Sequence, residues 1–262
     1  MKITIALAQM AISLDRPEAN YQAAQSMATK AVAQDADLLV LPELWATGYN
    51  LGRAREQAAP LDQGHFALMA ELAQVHGLYV TGTALEENPG GRPFNTAALY
   101  GPDGRCLGAY RKVHLWAPLG EVEHLTPGDA LPVFELPWGT VAMAICYDLR
   151  FPELWRRFAD AGAQLILIPA EWPIRRVEHW RLLLRARAVE NQLYVAGCNR
   201  AGVDADGEFG GHSAAVDPWA RVLVEGGSQP NLLLTSIDLD EVARARQLFP
   251  FLADRRPDVY GQ

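Results

Sequence analysis

Cysteine is scarce in this chain, and long hydrophobic runs and clusters of basic residues are missing. The 262 residues include three cysteines, an odd number at wide spacing, which excludes a disulfide framework. There is no CxxC pair to suggest a zinc site. No apolar run is long enough to span a bilayer. With 23 Lys and Arg against 31 Asp and Glu, the net charge of -8 argues against nucleic acid or an anionic membrane as a partner.

The cysteines are Cys106, Cys146 and Cys198, and we expect reduced thiols in a cytoplasmic protein. The first residues, MKITIALAQM, hold only a short apolar stretch, which predicts a strand rather than a signal peptide. Hydrophobic residues make up 50% of the chain, enough to bury a large core. Because no linker or low-complexity segment divides the sequence, residues 1–262 are predicted to form a single domain.

Strand-like and helix-like segments alternate along the chain. Short apolar runs such as LLVLP and LILIP are typical of strands covered on both faces. Residues 19–33, 66–76 and 178–191 are predicted helices. Pairs of β-rich runs, the first pair around the turn PDG, indicate hairpins. The pattern predicts an α/β layered sandwich with mixed sheets. The hairpins argue against a TIM barrel, and the lack of GxGxxG after the first strand argues against a dinucleotide site.

Three polar side chains stand where predicted strands end. Glu43 follows the buried strand of LLVLPE, where partial desolvation suits a carboxylate to act as a general base. Lys112 ends the first hairpin, and its ammonium could stabilise an oxyanion. Cys146 lies on a strand-to-helix turn, where backbone N–H groups can hold an oxyanion. A nearby lysine and the start of the helix at Pro152 are expected to favour the thiolate.

Spacing alone leaves alternatives open. Cys198 ends a similar strand, so the strand pattern does not choose between it and Cys146 as the nucleophile. Either Glu121 or Glu123, in the loop between the lysine and the cysteine, could hold the lysine in place. A histidine base is a further alternative, and its candidates are His114, His179 and His212.

Seven segments together resemble the carbon-nitrogen hydrolase, or nitrilase-like, superfamily. They are LLVLPELWATGY, FNTAALYGPDG, YRKVHLW, EHLTPGD, ICYDLRFPELWR, HWRLLLRARAVENQLYVAGCNR and GHSAAVDPWARVL. The likeness runs from the first strand to the last, in the order of the family. Each segment alone is a weak signal, but the glutamate of LPE, the lysine of YRK and the cysteine of ICYD make the combination specific.

The resemblance implies an αββα sandwich, with mixed sheets inside and helices on the outer faces, that assembles as a homodimer or a larger homo-oligomer. It also implies a catalytic triad of Glu43, Lys112 and Cys146. The second glutamate of the family, close to the lysine, falls on Glu121, or on Glu123 if the alignment of the loop slips.

The implied reaction is the hydrolysis of a small carboxamide to a carboxylate and ammonia through a cysteinyl thioester. Lys112 and the backbone N–H of Tyr147 would hold the oxyanion. The reaction needs no metal and no organic cofactor. ICYDLRFPEL and ARAVENQLYVAGCNR are most similar to the ω-amidase branch, whose substrates are 2-oxo dicarboxylate monoamides such as 2-oxoglutaramate. A nitrilase, a carbamoylase or an amidase of deaminated glutathione would use the same triad, and an acyltransferase or an idle scaffold would share the fold.

Loops near the triad should form the substrate pocket. A substrate carboxylate calls for an arginine that binds it bidentately, and Arg176 in EWPIRR is the candidate, with Arg175 second. Glu171 departs from the neutral residue of related sequences. An acid there would repel a carboxylate substrate unless it pairs with an arginine. The other predicted lining residues are Tyr49, Trp116, Arg150, Trp172 and Phe209.

Overall fold

Two six-stranded β-sheets face each other, and helices cover their outer faces. The structure is a computed structural model, and it describes residues 1–204 and 207–260. The strands are β1 Lys2–Gln9, β2 Leu38–Val40, β3 Tyr79–Glu86, β4 Phe94–Tyr100, β5 Cys106–Arg111, β6 Val133–Leu136, β7 Gly139–Met143, β8 Leu165–Ala170, β9 Tyr194–Asn199, β10 Ala201–Asp204, β11 Gly207–Gly210, β12 Ala214–Val216, β13 Val222–Glu225 and β14 Asn231–Asp238. The helices are α1 Pro17–Val32, α2 Ala54–Gln57, α3 Gly64–His76, α4 Glu121–His124, α5 Pro152–Asp160, α6 Val177–Asn191, α7 Asp240–Leu248 and α8 Pro257–Tyr260.

The two large sheets have matching layouts. The first has the strand order β14-β1-β2-β3-β4-β5, and the second has the order β13-β12-β9-β8-β7-β6. Parallel strands form the centre of each sheet: β1, β2 and β3 in the first, and β7, β8 and β9 in the second. The flanking strands are antiparallel. At one edge of the first sheet, β14 pairs with β1 from Lys2 opposite Asp238 to Gln9 opposite Asn231.

Alternating side chains along each strand explain the four layers. In β1, Ile5 and Leu7 are fully buried in the same core as Leu167 of the second sheet, so this face forms the interface between the sheets. Ala6 and Ala8 point the other way, into a second core built with α1 and α3. A strand that is covered on both faces has a continuous apolar sequence, as β2 and β8 do. The predicted αββα sandwich of mixed sheets is confirmed.

The helices and hairpins of the sandwich lie close to their predicted positions. The helix predicted at 66–76 is α3, which ends at Gly77 in the left-handed conformation, with a φ of 66°. The helix predicted at 178–191 is α6. Among the described residues, the antiparallel pair β10–β11 and the short helices α2, α4 and α8 have no counterpart among the predictions.

Two expectations concern the chain as a whole. The single domain over residues 1–262 stays a prediction, and the core shared by the two sheets supports it. Within the described ranges 1–204 and 207–260, none of the helices combines the length and the apolar character that crossing a membrane requires.

Candidate active site

The ends of four strands bring polar side chains together beside one cavity. Glu43 lies three residues beyond the end of β2, and Lys112 directly follows β5. Cys146 lies three residues beyond the end of β7, and Glu171 directly follows β8. The first two residues belong to the first sheet and the other two to the second, so the cavity lies where the two sheets meet at one end of the sandwich.

The ammonium of Lys112 is at the centre of this group. It donates to Oε1 of Glu43 at 2.8 Å and to Oε1 of Glu121 at 2.6 Å, and the three side chains have no exposed surface. Its third contact, with the hydroxyl of Tyr49, is longer, at 3.3 Å. Burial would lower the pKa of Lys112, but the carboxylates of Glu121 and Glu43 outweigh it and raise that pKa. Lys112 is therefore a permanent cation.

A close backbone approach fixes the position of Lys112. Its N–H donates to the carbonyl oxygen of Asn95, and its own carbonyl oxygen accepts from the N–H of Gly128, at 2.9 and 2.8 Å. A Cβ at Gly128 would lie 2.3 Å from the carbonyl oxygen of Arg111, which no side chain could tolerate. The turn TPG thus carries glycine because two backbone segments touch there.

Glu43 accepts hydrogen bonds on both of its carboxylate oxygens. Oε1 accepts from Asn95 Nδ2 at 2.8 Å and lies 2.7 Å from the Tyr49 hydroxyl, in addition to Lys112. Oε2 accepts the backbone N–H of Glu171 at 3.1 Å. These donors hold the carboxylate in a single orientation. Asn95 was not among the predicted residues, although it stands inside the quoted segment FNTAALYGPDG.

The second glutamate is held just as closely. Glu121 begins α4, and its Oε2 accepts the backbone N–H of Trp116 while its Oε1 contacts Lys112 and Tyr49. Burial raises the pKa of Glu121, as does the charge of Glu43, while Lys112 acts in the opposite direction. Glu123, the alternative in the same helix, is exposed. The structure therefore places Glu121, and not Glu123, beside the lysine.

The thiol of Cys146 faces the Glu43 carboxylate and is buried. Burial, together with the negative charge of Glu43, raises the pKa of this thiol well above its ordinary value, and Lys112 offsets this only in part. The expectation that the lysine and a helix start would favour the thiolate is wrong. It overlooked the carboxylate and the burial, and a 3₁₀ turn over Cys146–Arg150 separates the cysteine from α5. The free enzyme holds a neutral thiol next to a base.

Cys146 is placed by a strained turn. Its φ of 44° lies in the left-handed region, which is unusual for a residue other than glycine. Asp148, fully buried two residues later, holds the turn together. Its carboxylate accepts from the hydroxyl of Tyr110 at 2.7 Å and from the N–H groups of Ile145 and His114, both at 3.0 Å. Asp148 was not predicted, although it is the last residue of the quoted ICYD.

The cavity beside the thiol measures about 150 Å³ and has one wall rich in cations. The guanidinium of Arg150 lies 4.5 Å from the ring of Trp172, and that of Arg176 lies 5.1 Å from the ring of Trp116. Burial lowers the pKa of Arg176, and the charges of Arg150 and Arg175 lower it further. Three like charges around one cavity produce a positive potential that attracts an anion. The lining residues are Tyr49, Trp116, Pro118, Leu119, Cys146, Tyr147, Arg150, Glu171, Trp172, Pro173, Arg175, Arg176 and Phe209.

Glu171 also lines the cavity and pairs with an arginine that was not predicted. Its Oε2 accepts from Nη1 of Arg200 at 2.7 Å. The guanidinium of Arg200, almost fully buried, also bonds Asp204 and lies 3.9 Å from the ring centroid of Phe209. An acid at position 171 is expected to repel a carboxylate substrate unless it pairs with an arginine, and Glu171 does pair with Arg200.

The structure separates the alternatives that spacing left open. Cys198 is buried within β9, where burial raises the pKa of its thiol, and Cys106 is exposed at the start of β5. His114 bonds Asp148, and His212 bonds Glu225. His179 lies 3.5 Å from the guanidinium of Arg150. The charged groups that act on the Cys146 thiol are Glu43 and Lys112, and the backbone of Glu171 adds a hydrogen bond. In the part of the chain that the structure describes, no group of three or more His, Cys, Asp or Glu could hold a metal ion.

Comparison with known proteins gives consistent results. The model of the carbon-nitrogen hydrolase family matches residues 4–247. The chain is 39% identical to a 2-oxoglutaramate amidase of Bacillus subtilis, over 99% of this chain and 100% of that protein. It is 35% identical to the omega-amidase NIT2 of Danio rerio, over 99% and 97%. Its fold is similar to the crystal structure of an amidase from Nesterenkonia sp. AN1 with acrylamide added to the active-site cysteine. The TM-score is 0.84, with 30% identity over 95% of this chain and 98% of that one.

The neutral state of the thiol leads to a prediction about Glu43→Gln. Removing the negative charge while keeping Lys112 should lower the pKa of Cys146, so that iodoacetamide alkylates it faster at neutral pH than in the wild type. Alkylation rates measured between pH 6 and 10 by mass spectrometry of the Cys146 peptide check this. The exposed Cys106 in the same samples is the control and should keep its rate. An unchanged or slower Cys146 profile in Glu43→Gln would mean that Glu43 does not hold the thiol neutral.

Proposed function

Since this chain belongs to the carbon-nitrogen hydrolase family, we propose that it hydrolyses the terminal carboxamide of 2-oxo dicarboxylate monoamides such as 2-oxoglutaramate. The chain is a hydrolase of carbon–nitrogen bonds other than peptide bonds, and its substrate is a small amide. One observation carries the proposal: a thiol beside a carboxylate lines a cavity that is also lined by three arginines. The names of the relatives in Bacillus subtilis and Danio rerio agree with it.

The first half of the reaction forms a thioester. Glu43 takes the proton of the Cys146 thiol as the sulfur attacks the carbonyl carbon of the amide. The thiol is neutral at the start, so the base must remove this proton during the attack. Lys112 and the backbone N–H of Tyr147 stabilise the oxyanion of the tetrahedral intermediate, and each donor contributes about 3 kcal/mol. The C–N bond then breaks, the nitrogen receives the proton from Glu43, and ammonia leaves.

Water completes the reaction. Glu43, again a carboxylate, takes a proton from the water that attacks the thioester carbon. The C–S bond breaks, the sulfur recovers the proton, and the carboxylate product leaves. The bonds of Lys112 limit how it can act. Its contacts with Glu43 and Glu121 are short, so the longer contact with Tyr49 is the one that it exchanges for the oxyanion.

The substrate needs a free carboxylate because of the arginines. Arg176 is half-buried beside Trp116, and Arg150 lies over Trp172, so both guanidiniums are held against aromatic rings at the cavity. A planar guanidinium binds a carboxylate through two parallel hydrogen bonds. We assign Arg176 to the carboxylate of the substrate and the residues Tyr49, Trp116, Trp172 and Phe209 to the walls that enclose its carbon chain.

The same family fold and triad serve other reactions. A nitrilase would add water to a C≡N bond, and a carbamoylase would cleave a carbamoyl group. The amidase is favoured by the names of the relatives.

We also propose that the chain assembles as a homodimer in the cytoplasm. All three cysteines are unpaired, which suits a reducing compartment. Residues near the C-terminus expose large apolar side chains, with Leu248 77% and Phe249 59% exposed, and a partner subunit could cover them. Sedimentation velocity of the purified protein tests the dimer, and fractionation of the source cells tests the compartment.

An ammonia-release screen tests the proposed reaction. We expect release from 2-oxoglutaramate and slower release from succinamate, and none from the corresponding nitriles. Cys146→Ala should lower kcat by about 10⁴-fold or more, because the attacking sulfur is lost. Cys106→Ala, which removes an exposed thiol, is the matched control and should keep wild-type kcat. Turnover of nitriles without turnover of any amide would replace the amidase by a nitrilase.

Replacing Arg176 tests the anion site. Arg176→Gln should raise KM for 2-oxoglutaramate by about 10- to 100-fold, because a hydrogen bond to a charged group is lost. The kcat/KM of a neutral amide such as butyramide should change less than about threefold, since it has no carboxylate. Arg185→Gln, an exposed arginine on α6, serves as the control. An equal loss for both substrates would mean that Arg176 shapes the cavity without binding the carboxylate.

A further inference from the structure

One side chain of the cavity has an unused hydrogen-bonding atom. Glu171 is 3% exposed, and its Oε2 is bound to Arg200. Its Oε1 is buried and has no hydrogen-bond partner among the described residues. The residue lines the cavity, and its backbone N–H contacts the Glu43 carboxylate. A buried polar atom without a partner destabilises the folded protein. In the wall of a substrate cavity, the bound substrate can supply the missing partner.

The charges around Glu171 favour its protonated form. The guanidinium of Arg200 contacts the carboxyl groups of both Glu171 and Asp204, so two acids share this cation. The side chain of Asp204 is 10% exposed and that of Glu171 is fully buried, so Glu171 is the more costly of the two to ionise. Glu43 adds a third carboxylate on the other side. Burial, opposed by Arg200, raises the pKa of Glu171 to about 8.

The position of the proton follows from the contact with Arg200. A guanidinium only donates hydrogen bonds, so Oε2, which it contacts at 2.7 Å, must act as an acceptor. The proton therefore lies on Oε1, and at neutral pH this buried O–H, in a residue that lines the cavity, is a donor without an acceptor among the described residues. Glu171 is then uncharged. It therefore does not repel the carboxylate of the substrate, as an ionised acid at this position would.

The acceptor for this donor is found by placing the substrate. In the proposed reaction, Lys112 and the N–H of Tyr147 hold the amide oxygen, and Arg176 holds the carboxylate. A 2-oxo dicarboxylate monoamide has one acceptor left, the 2-oxo oxygen. We propose that Glu171, as a neutral carboxylic acid, donates its Oε1–H to the 2-oxo oxygen of the substrate and thereby selects 2-oxo acid amides over their 2-amino and unsubstituted analogues. This inference rests on the proposed function.

The selection has a physical basis in each analogue. An unsubstituted ω-amide leaves the Glu171 donor without an acceptor, which lowers kcat/KM by about tenfold if one net hydrogen bond is lost. A 2-amino analogue such as glutamine presents an ammonium, which can only donate, to the same donor. A site built to hydrogen-bond one substrate group discriminates strongly against analogues that lack it.

The experiment measures the ratio of kcat/KM for 2-oxoglutaramate to that for glutaramate, between pH 6 and 10, in the wild type and two variants. In the wild type this ratio should be about ten and should fall as the pH rises through about 8, because ionisation removes the Oε1 proton. Glu171→Gln keeps a donor on the cavity side and does not titrate, so its ratio should stay high at every pH. Glu171→Leu has no donor, so its ratio should be low at every pH.

Controls separate this inference from the proposed function. Glu135→Gln, an exposed acid on the edge strand β6, should follow the wild-type profile, and comparing variants at each pH removes any titration of the substrates. The Gln variant also controls for the titration of the other charged groups near Glu171. These groups are Glu43, Arg200 and Asp204, and Arg150, Arg175 and Arg176 line the same cavity.

Three results would overturn the inference. If 2-oxoglutaramate is hydrolysed but the Leu variant keeps the wild-type ratio, Glu171 does not contact the 2-oxo oxygen, and the proposed function stands. If the ratio survives above pH 9 in the wild type and is lost in Glu171→Gln, the selection does not depend on a proton on Oε1, and the donor role is wrong. If simple amides are hydrolysed and 2-oxoglutaramate is not, the proposed function fails, and this inference fails with it.

Discussion

The buried ammonium of Lys112 is the interaction on which the rest of the site depends. Transferring an ion from water to a protein interior costs several kcal/mol unless close partners compensate it. Here Glu43 and Glu121 supply the compensation, and neither could be buried without the lysine. The three residues come from a loop after β2, the end of β5 and the short helix α4. Because each of these charged groups needs the others as partners, the three segments are fixed against one another beside Cys146.

The charges of this buried cluster affect the residues around it. Two carboxylates against one cation leave excess negative charge beside Cys146, which keeps the thiol protonated until substrate arrives. The opposite wall is positive because of its arginines. A ligand that fits both regions has an uncharged, reactive end and an anionic end, which describes the monoamide of a dicarboxylic acid. Glu171 joins this arrangement as an acid whose charge is suppressed by its surroundings.

Much of this architecture can be read from the sequence, because apolar runs, hairpin turns and the segments of a known family are local signals. Glu43, Lys112, Cys146 and Glu121 were each predicted, and the structure brings their side chains together. The supporting residues were missed for a physical reason. Asn95 and Asp148 act through contacts with segments that are far away in sequence, and their residue types are common in loops. The thiol's protonation state was also misjudged, because it depends on burial and net charge, which spacing does not encode.

The pairing of β14 with β1 sets the order in which the molecule can be made. These strands stand at opposite ends of the chain, and all eight residues of β1 have partners in β14. During synthesis the first sheet therefore lacks its edge strand until residues 231–238 have been made. Contacts of such sequence separation slow folding, and an unpaired edge exposes a template for aggregation meanwhile. The nascent chain thus passes through a vulnerable interval that chaperones are suited to protect, and deletion of β14 would make that interval permanent.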